Sequence, residues 1–111
     1  MLEITFYRDG VGRFAGFAAR GHADFAEYGQ DIVCAAVSAI LQAARLGLEH
    51  YAAGEIEATQ EPGAMQVIVT EGRRDDESIA AIGTTADLSV TQVVRRFADH
   101  VSIAHETIGG N

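Results

Sequence analysis

From Ile32 to Ala53 the chain runs through alanines, leucines and other helix formers without a proline, and Gly54 then supplies a stop. Such a segment commits the chain to one long α-helix, with Asp31 placed as a good N-cap. Val33, Val37, Ile40, Leu41, Ala44, Leu48 and Tyr51 fall on one stripe at helical spacing, while Gln42, Arg45 and Glu49 mark a narrow wet stripe. Ala35, Ala36, Ala39, Ala43 and Leu46 make a third, apolar face. That face predicts burial on more than the sheet side, either in a homodimer contact or by close packing against a second helix; the sequence leaves both open. Gln42 and Arg45 interrupt the best approach to the roughly 20 apolar residues of a membrane span, so no membrane association is expected.

The flanking segments read as hairpins. Leu2, Ile4 and Phe6 alternate with Glu3, Thr5 and Tyr7, the period of a half-buried strand, and Asp9-Gly10-Val11-Gly12 turns the chain. Arg13 to Arg20 then reads as a second strand, although Phe14 and Phe17 do not choose one face. Beyond the helix, Ile56 to Glu61 and Ala64 to Glu71 are joined by Pro62-Gly63, residues suited to the two central positions of a type II turn. Met65, Val67 and Val69 alternate with Gln66, Ile68 and Thr70. Asp75-Asp76-Glu77 place negative charge where a helix N-terminus favours it, and apolar residues from Ile79 to Val101 keep helical spacing. Gly83-Thr84-Thr85 are poor helix formers and are expected to interrupt that helix. Val101 and Ile103 alternate with Ser102 and Ala104, which allows a short C-terminal strand at a sheet edge. The predicted fold is one α+β domain over residues 1–111, a two-layer sandwich of order ββαββα with that optional last strand. Its helices cover one face of a mainly antiparallel sheet.

The net charge of -8 disfavours direct nucleic-acid binding, which needs a basic face to displace counterions from phosphate. It tolerates a basic partner. A single cysteine makes no intramolecular disulfide, and Met1 to Phe6 show neither the basic nor the long apolar region of a secretion signal, so a cytoplasmic protein is expected.

That cysteine, Cys34, lies three residues after Asp31. If Asp31 is the cap, unpaired backbone N–H groups and the helix dipole stabilise a thiolate there, and the same N–H groups can bind an oxyanion. His22 lies 12 residues earlier (34 − 22) in a glycine-bounded loop that can fold back over the helix terminus, bringing an imidazole to the sulfur as general base. Asp31 has two incompatible attractions, capping the helix or orienting His22. Ser38 shares the helix face of Cys34 and can bond the thiol, the histidine or simply a backbone carbonyl. Gly21 and Gly29 are turn residues or the hinges of a closing loop that carries Phe25 and Tyr28. Taken alone, a cysteine in an alanine-rich helix is more often a buried small hydrophobe than a nucleophile. His50, His100 and His105 read as surface or helix-end residues; no metal site and no cofactor are implied.

Gly21-His22-Ala23, the loop with Tyr28-Gly29, and Asp31-Ile32-Val33-Cys34-Ala35-Ala36-Val37-Ser38-Ala39 together resemble the signature of the ribosomal-processing cysteine protease (Prp) family of bacteria. The resemblance implies an endopeptidase that removes an N-terminal extension from a large-subunit ribosomal protein. It implies Cys34 as nucleophile and His22 as its base, with Asp31 and Ser38 in support, and a loop holding Gly21, Phe25, Tyr28 and Gly29 that orders over substrate. It also implies a homodimer. The competing expectation is a non-catalytic dimeric module that binds a ribosomal or other basic protein, with Cys34 merely packed. The Gly83-Thr84-Thr85 stretch and the alanine-rich second half depart from the leucine-rich second helix of such proteins.

Overall fold

The computed structural model describes residues 1–21 and 27–109, and of residues 27–31 the backbone alone. The elements are β1 (Leu2–Arg8), β2 (Phe14–Arg20), α1 (Glu27–Tyr51), β3 (Ile56–Glu61), β4 (Ala64–Val69), a 3-10 turn (Glu71–Arg73), α2 (Glu77–Arg96) and β5 (Val101–Thr107). The order is ββαββαβ, and the optional last strand is a full member of the sheet. The strands form one sheet in the order β3-β4-β2-β1-β5. All neighbours are antiparallel except β1 and β5, which run parallel from Leu2 opposite Val101 to Arg8 opposite Thr107.

The helices cover one face of this sheet. Leu2, Ile4 and Phe6 from β1, Phe17 from β2 and Met65, Val67 and Val69 from β4 point into the core. They meet Val33, Val37, Leu41 and Leu48 of α1 and Ile79 and Val90 of α2. Tyr51, read as the end of the buried stripe, is instead half exposed at the helix terminus. By length and composition, Ile32–Tyr51 is apolar enough to cross a membrane (mean hydropathy 1.5), contrary to the expectation from Gln42 and Arg45. Its stripe of buried side chains faces the sheet, and the exposed Ile32, Leu46 and alanines supply the rest of that apolarity.

The uncertain face of the second strand has a local cause. Tyr7 is opposite Gly16 but Arg8 is opposite Phe14, so Ala15 is an extra residue that makes a β-bulge. The bulge shifts the alternation by one, and Phe14 and Phe17 can both turn inward, 4% and 0% exposed. Phe14 explains a second departure from expectation, because α2 is not interrupted at Gly83-Thr84-Thr85. A Cβ on Gly83 would clash with the Cγ and Cδ atoms of the Phe14 ring, so the glycine lets the ring lie against the helix backbone.

Asp9 ties the β1–β2 turn to the rest of the molecule. Its Oδ1 accepts the N–H groups of Val11 (3.1 Å) and Arg13 (3.0 Å), and its Oδ2 accepts from Arg13 Nε (2.8 Å) and Arg74 Nη1 (3.4 Å). Burial pushes this carboxyl up, but the backbone and side-chain bonds from Arg13 and the N–H of Val11 outweigh it and hold the group below 3.8. A lowered folded-state value stabilises the protein above the unfolded-state value, and that contribution is lost as pH falls through the folded value. Urea midpoints should therefore drop from about pH 4 downward, and Asp9→Asn should lower the midpoint at neutral pH while flattening that acid limb. An unchanged limb would show that Asp9 does not carry it.

Candidate active site

The β3–β4 hairpin closes through Pro62-Gly63 with Gly63 at φ +79°, the value a type II turn needs at its second central residue. This tight turn brings the end of the hairpin beside the end of β2, where the Gly21 N–H donates to the Gly63 carbonyl at 2.9 Å. Gly21 itself has φ +93°, and a Cβ there would run into the Met1 carbonyl oxygen. The exit from β2 is therefore fixed by backbone on two sides, and His22 is the next residue in sequence.

Between that exit, the hairpin end and α1 lies a cleft of about 190 Å³. Cys34 and Ser38 line it from α1, Gly21 and Arg20 from β2, and Gln60 and Glu61 from β3. Cys34 is half buried and packs against the edge of the core; Ser38 is exposed. Gln60 is held in place by Gln42 Nε2 and Arg45 Nη1, each donating to its Oε1 at 3.0 Å. Residues of the expected wet stripe thus tie the helix to the edge strand, and Arg45 also pairs with Glu49 at 3.2 Å.

The structure brings Gly21, Cys34 and Ser38 to one cleft. His22 and Phe25 lie outside the described residues, as do the side chains of Tyr28 and Asp31. Gly29 falls within α1.

One expectation is corrected. Because α1 starts at Glu27, Asp31 is inside the helix and is not its N-cap, and Cys34 is about two turns in. Glu27 and Gln30 are good helix formers, and a lone Gly29 costs only about 1 kcal/mol in a helix, so the helix propagates through this stretch. Unpaired N–H groups and the concentrated dipole belong to the first turn. Neither the free N–H groups nor the concentrated dipole of that first turn is at Cys34, so the helix-terminus argument for an activated thiol does not apply.

The apolar third face of α1 is also resolved in part. α2 does not cover it: Ala35, Ala39, Ala43 and Leu46 stay exposed, Leu46 at 68%. The close approach of the two helices is at Gly47 and Ile82 instead. His105, read as a surface or helix-end residue, is at the surface. It lies on β5, where Nε2 meets Asp87 of α2 at 2.9 Å and the ring stacks near Phe6.

Gln60 and Glu61 were not singled out by the sequence as site residues, since only the two-residue turn hints at where the hairpin ends and nothing local places it beside Gly21; Gln42 was read only as part of the wet stripe.

Comparison with known proteins adds identity to this geometry. Over 41 residues the chain is 44% identical to the ribosomal processing cysteine protease Prp of Bacillus subtilis, an alignment that covers 37% of each chain. The chain thus matches little more than a third of that curated relative's length. The solved Prp protease of S. aureus, in complex with a covalently linked product peptide, superposes with a TM-score of 0.83 at 20% identity, covering 95% of this chain and 99% of that one. A solved Streptococcus mutans protein superposes with a TM-score of 0.85 at 27% identity, covering 97% of this chain and 99% of that one. The sequence model of the family described as cysteine protease Prp matches residues 1–102, and the chain therefore belongs to the Prp cysteine protease family.

Proposed function

We propose that this protein is a cytoplasmic cysteine endopeptidase that removes the N-terminal extension of a large-subunit ribosomal protein. Cys34 is the nucleophile and His22 its general base. The observation that carries the reading is the placement of Cys34, half buried on the wall of a cleft whose rim includes the exit point of the His22 segment at Gly21.

In this mechanism the thiol proton passes to the imidazole as Sγ bonds to the scissile carbonyl carbon. The carbon–nitrogen bond then breaks, and the imidazolium gives its proton to the leaving amine. The shortened protein leaves with this amine as its new N-terminus; water then attacks the thioester and releases the severed extension as a carboxylic acid, with the thiol restored. Ser38 lies one turn from Cys34 on the same wall, and in this reading its hydroxyl hydrogen-bonds the reacting groups. Asp31 is kept as a supporting residue that acts through the imidazole.

Self-association is part of the reading. Ile32 and Leu46 are exposed at 62% and 68%, alongside small alanines on the same helix, and a groove of about 410 Å³ runs between α1 and α2. A second copy would remove this apolar surface from water.

The packing of Cys34 against the core favours the second reading, a dimeric binding module without catalysis. Mass spectrometry of a peptide carrying a ribosomal N-terminal extension, incubated with the protein, separates the two. Cleavage at one bond, stopped by thiol alkylation and lost in His22→Ala, is the expected result. An intact peptide, or cleavage that survives alkylation, would rule out the cysteine protease reading.

A further inference from the structure

Among the described residues no element covers the face of the sheet away from the helices, and its charges are one-sided. The strand registers place Glu3, Arg20, Ala64 and Glu61 in one row across four strands. The next row holds Thr5, Ala18, Gln66 and Thr59, and the third holds Glu106, Tyr7, Ile68 and Glu57 around Gly16. Glu3, Glu57, Glu61 and Glu106 are all exposed, and none makes an ion pair among the described residues. Arg20 is the one cation in these rows. Elsewhere Arg8, Arg13, Arg45, Arg73 and Arg74 each meet a carboxylate of the chain, whereas Glu55, Glu71, Glu77 and Asp99 lie apart from this face without an ion pair among the described residues.

Small residues on β2 and β4 give this face a floor. Ala18 and Ala64 lie beneath Tyr7, Thr59 and Gln66, forming a trough of about 270 Å³. Arg20, Glu61 and Ala64 line both this trough and the Cys34 cleft, so the two join over the end of the sheet.

We infer that the bare sheet face docks a cationic stretch of the substrate polypeptide, continuous with the cleft where the chain is cut. The inference rests on the proposed protease reading for what enters the cleft. The occupant is fixed by charge complementarity, four unpaired carboxylates against one guanidinium, and by the continuity of trough and cleft. An extended chain leaving the cleft passes the Arg20–Ala64–Glu61 row and lies along β2, its lysine or arginine side chains within reach of carboxylates on either side. Recognition then depends on residues remote from the cut bond, and it is sensitive to salt.

The test uses peptides that share the cut segment and carry a lysine-rich or a glutamine-rich flank on one side or the other. Lysine on one flank should raise kcat/KM. In Glu3→Gln/Glu57→Gln that preference should shrink about three- to ten-fold through KM, as expected for losing two exposed ion-pairing groups. Added salt should have the same effect. Glu77→Gln, which removes the same charge from the helical layer, should keep the wild-type preference. No lysine preference in the wild type, or one that survives in the double variant, overturns the inference. Should no peptide be cut, the protease reading fails by itself, and the surface is decided by binding. The lysine-flanked peptide should bind Cys34→Ala more tightly than the glutamine-flanked one, and adding Glu3→Gln/Glu57→Gln should remove the difference. Equal affinities overturn the docking surface whatever the fate of catalysis.

Discussion

Cys34→Ala should reduce peptide turnover by on the order of 10⁴- to 10⁶-fold, as removal of a covalent nucleophile does in other hydrolases. The protein itself should hardly notice. Cys34 is only half buried at the margin of the core, so losing its sulfur should cost about 1 kcal/mol at most. Peptide binding to the variant, followed by fluorescence anisotropy, should persist because the cleft walls from β2 and β3 are untouched. A fall in turnover of less than ten-fold would mean that the sulfur is not the attacking atom. A large fall accompanied by loss of folding would mean that Cys34 serves mainly as packing. The two outcomes are separated by measuring thermal unfolding beside kcat.

The second large effect is on stability. Gly83→Ala should destabilise the protein although alanine is the better helix former by about 1 kcal/mol. The added methyl would occupy the space of the Phe14 ring, and that ring is sealed into the core at 4% exposure with no room to retreat. Overpacking of this kind costs about 1–3 kcal/mol, and here the overlap with ring atoms places the cost at the upper end. The net loss should be about 1–2 kcal/mol, read as a lower urea midpoint at unchanged m. Phe14→Leu combined with Gly83→Ala should lose less than the sum of the single changes, because the smaller side chain makes room for the methyl. Additive losses, or a gain from Gly83→Ala alone, would show that the ring does not depend on the glycine.

These two residues also mark what can and cannot be read from the chain. Elements whose signal is local were legible. The alternation of Leu2, Ile4 and Phe6, the Pro62-Gly63 turn and the proline-free helix each carry their own period or turn chemistry, and all three stand in the structure. Gly83 was misread because its reason is tertiary: low helix propensity is outweighed by the benefit of seating an aromatic ring from a strand 69 residues away (83 − 14). Phe14 was ambiguous because a single extra residue, Ala15, resets the strand parity, and nothing in the local sequence marks a bulge. Asp31 has the chemistry of a cap, but capping preference is a matter of about 1 kcal/mol and does not stop a helix that good formers extend. Spacing on one helix put Cys34 and Ser38 on a common face, while the reading of Cys34 as a nucleophile came from the resemblance to a family signature. The opposite wall of the cleft was not, since Gln60 and Glu61 reach it only through the assembled sheet.

The parallel pairing of β1 with β5 has a consequence for how the molecule is made. Leu2 lies opposite Val101, and the pair is pinned at both ends by bonds from Leu2 N–H to His100 and from Ile108 N–H to Arg8. During synthesis β1 emerges first, yet it remains an open sheet edge until residues 101–107 have been added. An apolar strand with unsatisfied backbone groups is a template for pairing with other chains. The chain is therefore vulnerable to misassembly along β1 until β5 pairs with it, and contacts of such long sequence separation are slow to close.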